Sequence, residues 1–221
     1  LTGEERWRGG GQQASYSSPI LATIHGVRQI VSVNEDTISS HSIEDGTTYW
    51  EIEWPGKSNT NANTSQPHLL GDRLLITKGY GAGMALYDIF KVGDTWKSDQ
   101  RYQKSKYLKT KLTSVVVRDN HAYGLSDGIL ECIRIEDCRR MWKVREGRFG
   151  HGQVLLVGDK ILVLGDGGEL ALVAADPAGF HEYGRIQVLN AKTWNNLCLY
   201  GRYLLIRNAE EAACLELPVM K

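Results

Sequence analysis

Gly128-Ile129-Leu130-Glu131-Cys132-Ile133-Arg134-Ile135-Glu136-Asp137-Cys138-Arg139-Arg140-Met141-Trp142 alternates apolar and polar residues, breaks at a polar turn, and resumes as a short strand ending on tryptophan. Alternation with a period of two is the mark of a strand with two different faces. The same order recurs along the chain, and tryptophan keeps its time. Trp7, Trp50, Trp96 and Trp142 are separated by 43, 46 and 46 residues, and a further step falls near Tyr183, 41 residues on. A small or turn-forming residue stands four positions before most of these aromatics (Gly3, Gly46, Cys138, Gly179) and Gly93 stands three before Trp96.

A period in the forties with about four short strands per unit predicts an all-β chain built as a β-propeller. One four-stranded blade cannot cover both of its faces, so blades stack around an axis. Trp7, Trp50, Trp96, Trp142 and Tyr183 are then expected to be buried docking residues that seal successive joints. A β-sandwich with tryptophans spaced by chance would not keep its turns and strands in the same phase.

Composition excludes several classes. Lysine plus arginine equals aspartate plus glutamate at 26 each, so no net field attracts nucleic acid or an anionic membrane. Twenty-four glycines beside five prolines suit many tight hairpins rather than disorder. No apolar run approaches the roughly 18 residues that span a bilayer. The four cysteines form no CxxC and no metal-spaced cluster, and alternation places Cys132 and Cys214 inward as small buried hydrophobes. The chain begins at Leu1 rather than methionine, so an upstream segment is expected beyond this sequence.

In chain order the repeats fall at 1–8 (the last strand of a blade), 14–54, 65–97, 110–145, 151–188 and 194–217, all within one domain spanning 1–221. Hairpin chemistry marks the turns: His25-Gly26, Glu35-Asp36, Asp45-Gly46, Asp119-Asn120, Asp127-Gly128, Gly158-Asp159 and Asp166-Gly167-Gly168. The last unit ends without an outer strand after Leu217. The two ends allow a closed five-bladed ring, with Glu4 to Arg8 beside Ala212 to Leu217, or a contiguous piece of a larger ring; the expectation is the piece. No stretch holds helical periodicity. Gly79-Tyr80-Gly81-Ala82-Gly83 reads as a hairpin, because it lacks the lysine and hydroxyl pair and the helix of a phosphate-binding loop.

The order of alternating strand, acidic turn, glycine and tryptophan four residues on resembles the pyrroloquinoline-quinone-like repeat. Glu44-Asp45-Gly46-Thr47-Thr48-Tyr49-Trp50 and Ile135 to Trp142 carry it best, while Tyr16-Ser17-Ser18-Pro19 and Gly81 to Leu86 look like bacterial secreted propellers of that type. The resemblance covers essentially the whole chain. It implies an eight-bladed ring, of which about five repeats fit here. It spans quinoprotein alcohol dehydrogenases, outer-membrane assembly lipoproteins of the BamB type and repeat proteins of unknown role. For the dehydrogenases it implies a quinone on the ring axis, with a calcium held by carboxylate and amide oxygens and an aspartate base. It also implies a disulfide between adjacent cysteines. This chain has no adjacent cysteines, and no carboxylate stands at the start of a predicted innermost strand. Asn195 and Asn196 are oxygen ligands in reserve.

Those innermost starts carry Tyr16, Gln66, Lys111, His151, Gln153, Trp194, Asn195 and Asn196, with Ser17 and Thr113 beside them. Polar and aromatic, they form the expected ligand-binding rim; no catalytic and no metal residues are assigned. The six histidines, His25, His41, His68, His121, His151 and His181, read as turn or surface residues. Lys97 to Lys111, rich in lysine with Tyr102 and Tyr107 interleaved, reads as a solvated loop between blades. Asn63-Thr64-Ser65 matches a glycosylation sequon. The reading is a non-catalytic scaffold, extracytoplasmic (periplasmic or secreted), that binds a protein or small ligand without cofactor. The alternative is a quinoprotein dehydrogenase using quinone and calcium, completed outside this chain; a third is sugar recognition through Trp194.

Overall fold

A computed structural model describes residues 3–13, 15–54 and 62–218. Every element is an antiparallel strand, and consecutive strands pair. The first sheet is β1 (Ile20–Ile24), β2 (Val27–Val33), β3 (Thr37–Ser42) and β4 (Thr48–Glu53). The second is β5 (His68–Leu70), β6 (Arg73–Lys78), β7 (Gly83–Val92) and β8 (Thr95–Lys104). The third is β9 (Val116–Arg118), β10 (His121–Ser126), β11 (Ile129–Arg134) and β12 (Arg139–Lys143). The fourth is β13 (Gln153–Val157), β14 (Lys160–Leu164), β15 (Glu169–Ala174) and β16 (Glu182–Gln187). The fifth is three-stranded among the described residues: β17 (Cys198–Tyr200), β18 (Tyr203–Arg207) and β19 (Ala212–Glu216).

The turns follow from residue chemistry. His25-Gly26, Asp119-Asn120 and Asp127-Gly128 each hold positive φ at both positions, the mirror-image turn whose twist matches that of paired strands. Each four-stranded sheet also carries one register shift between its third and fourth strands, at Ser40/His41, Leu86/Tyr87, Cys132/Ile133 and Leu172/Val173. The shift lets the outer strand bend at the same place in every sheet.

The chain divides into two compact units, Leu1–Lys109 and Thr110–Lys221. In the first, Ile24, Val31, Ile38 and Trp50 of the first sheet pack with Leu74, Ile76, Ala85 and Ile89 of the second. In the second, Ile161 and Val163 of β14 join the third sheet's Tyr123, Leu125, Leu130 and Trp142. Leu162 and Leu164, on the opposite face of the same strand, join Leu204 and Ile206 of the fifth sheet. Burial on both faces is why Ile161-Leu162-Val163-Leu164 is continuously apolar.

The register corrects the tryptophan spacing. Trp50 lies opposite Ser40 and Trp142 opposite Cys132, each at the bulge and each buried. The residues at that place in the second and fourth sheets are Tyr102, opposite Leu86, and Gly184, opposite Leu172. Trp96 instead pairs with Lys91 near the tip of the β7–β8 hairpin and is only half-buried, and Tyr183 is 51% exposed. The cause is the length of β7 and β8, ten residues each, which moves the bulge away from Trp96. The same extension makes Lys97 to Lys104 strand rather than loop. Residues 3–8 form no strand; Trp7 is half-buried, and its indole Nε1 donates to Ile43 O at 2.7 Å. Cys214 is exposed, unlike Cys132.

Candidate binding site

In the second unit the sequence-predicted rim residues come together at one end of three sheets. Gln153, 4% exposed at the start of β13, donates through Nε2 to Leu112 O at 2.7 Å and to Trp194 O at 2.9 Å. One buried amide thus ties the segments leading into β9, β13 and β17. Two carbonyls from different segments converge there, and glutamine supplies both hydrogens from a single nitrogen. The Trp194 ring is exposed beyond this anchor, edge-on to His151 at 6.0 Å, with Lys192 Nζ 3.9 Å from its centroid. Asn195 is half-buried and Asn196 exposed. Lys111 Nζ lies 3.5 Å from Asp127 Oδ1.

Carboxylates do stand at this end, contrary to the sequence reading. Asp127 and Asp166 arrive on the hairpins between second and third strands, which return to the level where first strands begin. A scan of first-strand starts alone cannot find them. Asp166 accepts the His151 N–H at 3.0 Å. Gly150 holds φ at 58°, and a Cβ there would overlap the Asp166 carboxylate, so the backbone approaches this side chain closely only as glycine. Backbone bonds continue the chain of contacts: Phe149 N to Gly128 O at 2.7 Å, Asp166 N to Phe149 O at 2.9 Å and Thr193 N to Asp166 O at 2.9 Å.

Tyr16 and Gln66 lie in the first unit, both exposed, with Tyr16 N donating to Asn63 O at 2.9 Å. Asn63 itself is 2% exposed, and its Nδ2 donates to Asn34 O and Glu35 O at 2.8 and 2.7 Å. A sequon nitrogen engaged in this way in the folded chain is closed to a glycan. His41 is likewise buried rather than at the surface, and His25 clamps two sheets through Asp72 and Ile89 O.

A second feature of the Thr110–Lys221 unit is a groove of about 710 Å3 between the fourth and fifth sheets. Leu162, Leu170, Leu172 and Ile186 line one wall, and Leu215 and Leu217 the other. Lys160, paired with Asp159 at 2.8 Å, and Arg185, paired with Glu182 at 2.8 Å, border it. The groove runs beside β19, whose other neighbour in the sheet is β18. In the other four sheets a fourth strand occupies the corresponding edge.

Among the described residues no three histidine, cysteine, aspartate or glutamate side chains are grouped to hold a metal. The calcium and quinone implied by the dehydrogenase resemblance find neither that donor set nor an adjacent cysteine pair among the described residues. Among the same residues no helix is long and apolar enough to cross a membrane.

No family model and no curated protein matches the chain. Solved structures do, and they define its class as β-propeller. BamB from Moraxella catarrhalis superposes with a TM-score of 0.72 at 14% identity, covering 96% of this chain and 63% of that one. The Swd1 β-propeller domain of Myceliophteria thermophila gives 0.61 at 14% identity, covering 85% and 65%. The N-terminal domain of Nup159 gives 0.55 at 10% identity, covering 93% and 62%. The chain therefore spans less than two thirds of each of these structures, and the likeness is one of fold.

Proposed function

We propose that this chain is a binding scaffold, a stretch of pyrroloquinoline-quinone-like blades from one larger propeller domain, with eight blades as the repeat resemblance implies. Its apolar groove takes an extended, alternating segment as a fourth strand beside β19, supplied by the rest of that domain or by a protein partner. The observation that carries the reading is the apolar groove beside β19. An added strand there would hydrogen-bond to a sheet edge and seat alternate side chains against Leu162, Leu172 and Leu215. Exposed apolar surface of this kind marks an interaction site. The Gln153-anchored rim, with Trp194, His151, Asn195 and Asn196, is a second surface suited to a small polar ligand. The resemblance to secreted bacterial propellers supports an extracytoplasmic site of action.

The test is hydrogen exchange on the purified chain, with and without a synthetic peptide of the fourth sheet's own outer strand, residues 181–188. Slowed exchange across Ala212–Glu216, abolished by Leu215→Asp, is the expected result. Unchanged exchange across β19 at saturating peptide would refute strand docking.

A further inference from the structure

The first sheet carries an unassigned polar site on the face away from its core. Thr37, Ser39 and His41 alternate along β3 with Ile38 and Ser40, so they point the other way. Ser39 and His41 meet a cavity of about 390 Å3 whose far side is the glycine run Gly9-Gly10-Gly11 and Trp7. Trp7 is fixed there by Gly46, which holds φ at 76° and lies flat under the indole, where any Cβ would overlap the ring.

The hydrogen bonds in this site leave little freedom. His41 Nδ1 faces Gly46 O at 3.2 Å and Thr48 Oγ1 at 3.3 Å; the hydroxyl can accept, and the carbonyl can only accept. In the neutral ring the proton therefore sits on Nδ1, and Nε2 presents its lone pair to Ser39 Oγ at 2.9 Å. Asn34 Nδ2 donates to the same Ser39 oxygen at 3.1 Å, and Asn34 Oδ1 is held by Ser32 Oγ at 3.2 Å. Ser39 thus gives its proton to a histidine that a third group orients, the arrangement by which a hydroxyl becomes a nucleophile. Serine and histidine are 2% and 9% exposed and form the cavity floor, so bulk water competes little.

We infer that Ser39 and His41 form an acyl-accepting site for small esters, with an apolar acyl group against Trp7, Pro19 and Ile30 and a polar alcohol toward Ser32 and Thr48. Ser39 Oγ attacks the ester carbonyl carbon as His41 Nε2 takes its proton. Asn34 Nδ2 spends its two hydrogens on Ser39 Oγ and Thr37 Oγ1, both at 3.1 Å, and so fixes the position of the attacking oxygen. The carbon–alkoxide bond breaks, and the leaving alcohol receives the proton from His41. Water, deprotonated by the same nitrogen, then cleaves the acyl–Ser39 ester and restores the hydroxyl.

Diisopropyl fluorophosphate is the covalent probe: its P–F bond breaks, Oγ–P forms and fluoride leaves with the proton. Intact mass and peptide mapping of the wild-type chain should give one adduct, on Ser39, and p-nitrophenyl acetate should be hydrolysed. His41→Gln should slow both by about 100-fold, the usual contribution of a general base. Ser39→Ala should remove the adduct while near-ultraviolet circular dichroism reports an intact Trp50 environment. An adduct elsewhere, no adduct, or equal rates in wild type and His41→Gln would overturn the inference. The wild-type map decides it even where a variant folds poorly.

Discussion

Truncating Trp142 separates the observed register from the tryptophan period. Its indole is 9% exposed, sits 5.9 Å from the Tyr123 ring and 5.7 Å from Phe180, and donates from Nε1 to Asp176 O at 2.8 Å. Trp142→Ala empties a large volume between the third and fourth sheets and should cost about 3–5 kcal/mol. Trp142→Phe keeps most of the packing and loses the hydrogen bond, for about 1–2 kcal/mol. Trp96 touches Tyr49 at 5.6 Å and Lys91 at 5.6 Å but is half-buried at a hairpin tip, so Trp96→Ala should cost only about 1–2 kcal/mol. Urea denaturation followed by far-ultraviolet circular dichroism, at fixed m-value, measures all three. Equal losses for Trp96→Ala and Trp142→Ala would refute the argument from register and restore the simple period.

Gln153→Ala leaves Leu112 O and Trp194 O without their donor and should cost about 2–3 kcal/mol in the same assay, while shifting Trp194 emission. Gly150→Ala forces a Cβ into the Asp166 carboxylate at positive φ and should lower the melting temperature measurably, whereas Gly158→Ala, with open space around it, should show only the smaller backbone penalty. Burial pushes the Cys132 thiol up to about 12, so Ellman's reagent at pH 8 should react with Cys198 and Cys214 and leave Cys132 and Cys138 unmodified until urea is added. The hydrogen bond from Arg134 lowers Asp137 from 3.8 to about 2. Since the folded value is depressed, this pair's contribution is present above 3.8 and is lost as pH falls through 2; carboxyl carbon NMR should show that midpoint, moving back up in Arg134→Ala.

The strands and turns were legible because their signals are local. Alternation located β11, short apolar runs between turns located β14 and β15, and Asp127-Gly128 requires no distant partner to turn as it does. Trp96 was misplaced because a hairpin can lengthen by pairs of residues without breaking its alternation, so spacing along the chain does not fix position across the sheet. His41 looked like a turn residue because its polarity suggests solvent, yet Gly46 O, Ser39 and Thr48 satisfy it within the protein. Asp127 and Asp166 were missed at the rim for a topological reason: they reach it on returning hairpins, remote in sequence from the strands they accompany. Cys214 follows the alternation of Cys132, but the alternation does not say whether a neighbouring sheet covers that face.

The backbone bonds from Gly128 through Phe149 and Asp166 to Thr193 have a mechanical consequence. Each connecting segment is bonded to the hairpin of the sheet before it, so tension or fraying in one sheet is transmitted directly to its neighbour, as in a chain of coupled springs. The fourth sheet, held from both sides, should open last and set the slowest exchange in its unit. The fifth, with alternate residues of β19 open to water, should exchange faster than the fourth.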